Sequence, residues 1–74
     1  MKKIFEKRDV LFARVSANLK ERGCFLETVD GETVFMPNFN FQLGTKVICS
    51  VFKVTEDKYP LVNLDSVIYD DLAA

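Results

Sequence analysis

The side chains through which this 74-residue chain could meet another molecule are aromatic and basic: seven Phe, two Tyr and ten Lys or Arg. Aromatic rings offer faces on which nucleic-acid bases stack, and lysine and arginine hold phosphates. The absences narrow the chemistry further. There is no His and there are two Cys, Cys24 and Cys49. Ser-His-Asp and Cys-His catalysis therefore lack their base, and a zinc site that normally takes four Cys or His ligands cannot be built from this chain alone. Gly23, Gly31 and Gly44 stand singly and form neither a dinucleotide-binding nor a Walker loop. Adjacent acids such as Glu56/Asp57 and Asp70/Asp71 could hold a hard cation, but such pairs in turns and tails are nearly always just solvated. A binding module is expected, not an enzyme, with no cofactor and no metal.

Strand alternation decides which rings face outward. Residues 10–17 (VLFARVSA) place Leu11, Ala13, Val15 and Ala17 on one face and Phe12, Arg14 and Ser16 on the other. Residues 24–29 (CFLETV) put Cys24 and Leu26 inward, which leaves Phe25 outside. The short run 33–36 (TVFM) buries Val34 and Met36 and leaves Phe35 outside. Three neighbouring strands then present Phe12, Phe25 and Phe35 on one convex face. Exposed rings in a row are costly unless used, and base stacking contributes about 1–3 kcal/mol per ring. The competing expectation is a core role, since any single Phe is more often buried than displayed.

The elements that position these rings are short. Asp30-Gly31 marks a hairpin with a two-residue primed turn, because glycine adopts positive φ without steric cost. Residues 38–45 (NFNFQLGT) suit one helical or 3₁₀ turn closed at Gly44. In a strand-like or turn conformation one of Phe39 and Phe41 would plug the barrel end and the other face water as a candidate protein contact, although plugging the barrel is the default for both. Residues 46–54 (KVICSVFKV) are the most β-prone, with Val47, Cys49 and Val51 on one face. Residues 60–68 (PLVNLDSVI) form the last strand, with Pro60 in the first position. Five strands in an open sheet would leave exposed edges, and curling into a small closed barrel pairs most of them. The expected organisation is a basic N-terminal segment (1–9, a short helix or a strand extension), a barrel (10–68) and an acidic, frayed tail (69–74).

Hydrophobic residues make up 49% and charged residues 28%, enough apolar material to fold, with a formal net charge of −1. Such a chain does not coat nucleic acid by charge alone. The charge is uneven. Residues 1–22 hold seven basic and three acidic groups, residues 23–45 three acidic and none basic, and residues 46–74 three basic and five acidic. Lys20 and Arg22 flank the aromatic strand, where they could hold phosphates; Arg14 and Lys53 are the other candidates, against the plain alternative of a solvated face. No apolar run approaches the ~18–20 residues of a membrane span. A cytoplasmic monomer is expected, its two thiols reduced in the core.

The motif GCFLETVDGETVF, followed by a Phe-rich loop and LGTKVICSVFKV, resembles the S-one type of RNA-binding OB-fold, whose plan translation initiation factor one and the cold-shock proteins share. Gly23-Cys24-Phe25-Leu26 matches the family's Gly-small-Phe-aliphatic element, and Gly44, Val47, Cys49 and Val51 match its fourth-strand pattern. Val62-Asn63-Leu64-Asp65 stands where the family closes with an Ile-Ser-Leu-Ser-like strand. Phe35 takes a place where the family often has His, and the second hairpin carries Glu27, Asp30 and Glu32 with no basic residue. The resemblance covers about residues 10–65. It implies an all-β, five-stranded OB-fold barrel with one short helical or 3₁₀ turn between strands three and four.

Two functions follow as expectations. The first is a single-stranded nucleic-acid binding module, for RNA in particular, using Phe12, Phe25 and Phe35 for stacking and Arg14, Lys20, Arg22 and Lys53 for phosphates. The second is a protein-interaction barrel, an adaptor or inhibitor of translation, transcription or RNA-processing machinery, docking through the aromatic face or the acidic hairpin.

Overall fold

The alternating runs fold as five strands: β1 (Val10–Asn18), β2 (Gly23–Thr28), β3 (Thr33–Pro37), β4 (Lys46–Lys53) and β5 (Leu61–Ile68). The computed structural model describes residues 5–56 and 58–68; the expected acidic tail, Asp57 and the Asp70/Asp71 pair lie outside the described residues. The strands close into a barrel in the order β1-β2-β3-β5-β4. All neighbouring strands run antiparallel except β3 and β5. This is an all-β barrel of OB-fold-like architecture. Among the described residues no helix is long and apolar enough to cross a membrane.

One inner face supplies the core, as the period-two pattern requires. Leu11, Ala13 and Val15 of β1 meet Cys24 and Leu26 of β2, Val34 and Met36 of β3, and Val47, Cys49 and Val51 of β4. Both cysteines are free and buried. The one buried polar side chain among the described residues, Thr28, accepts the Glu32 N–H at 3.1 Å.

Three bulges alter the simple alternation. In β1 the register shifts between Val15, opposite Leu26, and Ala17, opposite Phe25. The extra residue, Ser16, donates its hydroxyl to the Phe25 carbonyl at 3.4 Å. Ala17 therefore joins the outer row beside Phe25 instead of the inner row with Val15. In β4 the extra residue is Phe52, so Lys53 lies opposite Leu61; in β5 it is Asp65, which lets Leu64 and Val67 both pack against the core.

The connections depart from expectation for local reasons. The 3₁₀ turn forms at Lys20–Arg22, between β1 and β2, and not between β3 and β4. Asn18 directs both outcomes. Its Oδ1 accepts the Lys20 N–H at 2.6 Å, and its amide donates to the Phe41 carbonyl at 2.7 Å and to Asn40 Oδ1. The 38–45 connection is thereby held along β1, with Val15 N–H donating to the Thr45 carbonyl and Gly44 N–H to the Val15 carbonyl, both at 2.9 Å. Its own turn is a single one, Thr45 N–H to the Gln42 carbonyl at 3.1 Å. Phe41 packs against the core while Phe39 remains exposed, their rings parallel at 6.2 Å.

The β2–β3 hairpin has three loop residues, not two. Gly31 N–H donates to the Thr28 carbonyl at 2.9 Å, so Val29 and Asp30 are the turn centre and Gly31, at φ 85°, follows as a bulge. A two-residue turn on Asp30-Gly31 would pair Val29 with Glu32 and set the inward Leu26 opposite Phe35; the core register of Leu26 with Val34 requires the odd-length loop. The N-terminal segment is neither helix nor strand extension in residues 5–9. Asp9 N–H donates to the Glu6 carbonyl at 3.2 Å in a tight turn, and Arg8 N–H donates to the Val51 carbonyl at 2.7 Å. Phe5 is buried in the core.

Candidate functional site

Register places Phe25 and Phe35 directly opposite each other on β2 and β3. Their neighbours Cys24, Leu26, Val34 and Met36 are fully buried, which forces both rings to the outside. The ring centroids are 5.0 Å apart at an interplanar angle of 59°. A third ring completes the cluster: Tyr59 stands edge-on to Phe25 at 5.2 Å and 76°. Such pairs contribute about 0.5–1.5 kcal/mol beyond area burial.

Each ring has an identifiable support. Tyr59 belongs to the β4–β5 connection, which is anchored where Phe35 N–H donates to the Pro60 carbonyl at 2.9 Å and shaped where Thr55 Oγ1 donates to the Lys58 carbonyl at 3.1 Å. Phe35 reaches across the bare Cα of Gly23: a Cβ there would lie 3.0 Å from Phe35 Cζ. Phe25 and Phe35 are half-buried by one another and by Tyr59, whereas Tyr59 is 52% exposed. The ring most open to a ligand is thus the tyrosine.

Cations stand near the cluster at two places in the chain. Lys20 and Arg22, with Glu21 between them, occupy the 3₁₀ turn that leads into Gly23 and β2. Lys53 and Lys58 line a groove with Tyr59, Leu61, Thr55 and Glu56. Strict alternation along β4 would have turned Lys53 inward with Val51; the bulge at Phe52 brings it out.

Two of the expected site residues are not part of this cluster. Phe12 is outward and 55% exposed, but its strand partner is Ile48 of β4, while Phe25 lies opposite Ala17. The expected row of three rings is therefore split, with Phe12 beyond the Arg14–Glu27 pair. Arg14 donates to Glu27 Oε1 at 3.2 Å, so its charge is already matched on the protein. Tyr59 and Lys58 escaped the sequence reading because alternation ranks only strand residues. The available signal was an aromatic residue just before Pro60, where the chain must cross to reach β3.

Burial governs the two thiols. The Cys49 thiol is pushed up to about 11 by desolvation, with the negative charge of Asp65 and of Cys24 adding to it. Cys24 is raised by burial, against a backbone hydrogen bond from Phe41 that acts the other way. Both are poor nucleophiles, since the thiolate is the reactive form. Among the described residues no three metal-ligating side chains cluster. The arrangement offers stacking faces and charges. Comparisons with protein-family models, curated proteins and solved structures found no match to this chain.

Proposed function

We propose that this barrel binds single-stranded nucleic acid, RNA in particular, across β2 and β3, and carries out no chemistry. The observation that supports the reading is the ring cluster of Phe25, Phe35 and Tyr59, with Lys53 and Lys58 sharing a groove with Tyr59 and Lys20 and Arg22 in the turn that leads into β2. Bases stack on Tyr59 and on the open parts of the two Phe rings, while phosphates meet these cations. OB-folds bind oligonucleotides on the strand 2–3 face and its flanking loops. With a net charge of −1 the chain gains little from long-range attraction, so short contacts carry the affinity.

Fluorescence anisotropy with labelled oligouridine and oligothymidine at several salt concentrations tests this. Engagement of three or four phosphates gives a log–log salt slope of about −2 to −3 for a single strand. Tyr59→Ala is the informative variant because its ring is half in water and its loss spares the core; it should weaken binding about 5-fold or more. Absence of binding at low salt, or binding that ignores Tyr59→Ala, refutes the reading. It would favour a second one, a protein-interaction barrel, which draws support from the acidic β2–β3 hairpin: Glu27, Asp30 and Glu32 with no cation of its own.

A further inference from the structure

The outer face of β1 and β4, set apart from the ring cluster by the Arg14–Glu27 pair, carries a second surface. Strand pairing aligns Val10 with Ser50, Phe12 with Ile48 and Arg14 with Lys46 on this face. Val10 is 62% exposed, Phe12 55% and Val29, at the adjoining hairpin, 82%. Ile68, opposite Lys46, extends the strip onto β5.

Two grooves open along the strip. One, of about 610 Å³, lies between Phe12, Val29 and Ile68 and has Arg14 and Lys46 in its wall. The other, of about 500 Å³, lies beside Val10 and Phe52 and has Lys7 and Arg8 in its wall. Two acids share these walls: Glu27 pairs with Arg14, and Asp65, which accepts from the neutral Ser50 Oγ, keeps its charge, so each groove is left with one cation in excess, Lys46 in the first and one of Lys7 and Arg8 in the second. In a chain whose net charge is −1, this face is an apolar strip with cations at both ends.

We infer that the β1–β4 face docks an acidic, amphipathic protein segment, whose Leu- or Phe-type side chains enter the grooves beside Phe12 and Val10 and whose carboxylates meet Lys46 and Lys7 or Arg8. Charge complementarity selects acid on the partner. The strip favours a peptide over a nucleic acid, because Val10, Val29, Ile48 and Ile68 offer aliphatic burial, and its two rings, Phe12 and Phe52, line different grooves and pair with no other ring among the described residues.

Amide shift mapping of the labelled full chain decides it, with three probes. These are a short synthetic peptide with Leu and Phe on one face and Asp and Glu on the other, the same peptide with Lys replacing the acids, and oligouridine. The acidic peptide should perturb Val10, Phe12, Val29, Lys46 and Ile68 and bind more tightly than its lysine counterpart. Phe12→Ser should weaken it about tenfold, as for an interface anchor. Lys46→Glu should also weaken it, and Tyr59→Ala should leave it unchanged. Equal binding of the lysine peptide, no saturable binding of the acidic one, or insensitivity to both Phe12→Ser and Lys46→Glu overturns the inference. Oligouridine shifts centred on Phe12 overturn it as well, in favour of a nucleic-acid surface.

Discussion

Gly23→Ala is the substitution whose cost the structure defines most directly. Gly23 sits at φ 131° and ψ −156°, a region that is essentially glycine-only and costs other residues about 1–3 kcal/mol. Strain is only the first part. A Cβ would stand 2.3 Å from the Met36 carbonyl oxygen and 2.8 Å from Pro37 Cα, both backbone atoms of the paired strand. Met36 is fully buried, so β3 cannot retreat without disturbing the core. Relieving such overpacking costs about another 1–3 kcal/mol. The total, about 2–6 kcal/mol, compares with about 4–11 kcal/mol for an ordinary domain of this length. The melting temperature should fall by about 8 °C or more, at roughly 4–8 °C per kcal/mol for a domain of this size.

Urea unfolding followed by circular dichroism measures the loss. Gly31→Ala supplies the control: Gly31 is also in a positive-φ conformation, at 85°, but a Cβ there meets nothing within 4 Å. That variant should lose only about 1 kcal/mol. A Gly23→Ala protein within about 1 kcal/mol of the parent, or no less stable than Gly31→Ala, would refute the close-approach reasoning. Where the variant still folds, displacement of the Phe35 ring should also appear in its aromatic proton shifts.

Asn18→Ala should cost about 1–3 kcal/mol, because three hydrogen bonds to Lys20, Asn40 and Phe41 are lost together. Hydrogen exchange should show faster exchange at Lys20, and a stability within about 0.5 kcal/mol of the parent would contradict the role assigned to Asn18. Alkaline pH should destabilise the barrel through Cys49, whose thiol is raised from 9.0 to about 11. Above pH 9 the unfolded chain sheds this proton while the folded chain keeps it, so stability falls between about pH 9 and 11, by about 2–3 kcal/mol in full. The stability difference between the parent and Cys49→Ala should be constant below about pH 8 and shift by that amount toward pH 11; parallel profiles would rule the effect out.

Much of the barrel was legible because a single inner face is sufficient for a domain of this size. Leu11, Ala13 and Val15, or Val47, Cys49 and Val51, declare that face at every second residue. What stayed hidden depends on pairing, not on pattern. The bulges at Ser16, Phe52 and Asp65 leave no compositional mark, yet they turn Ala17 and Lys53 outward. Alternation showed that Phe12 faces out but not whom it faces; strand stagger gave it Ile48 as a partner and gave Phe25 Ala17. Tyr59 reaches the cluster by a crossing between β5 and β3, a contact remote in sequence.

The parallel junction of β3 with β5 rests on one residue pair, Phe35 with Leu61. It is the narrowest suture in the wall, joining a three-strand meander to the final hairpin, and two of the three clustered rings, Phe35 and Tyr59, sit on opposite lips of it. A molecule gripping both lips rivets the wall shut, so occupancy and fold stability become linked quantities: whatever binds there raises the melting point, and whatever loosens the suture weakens the grip.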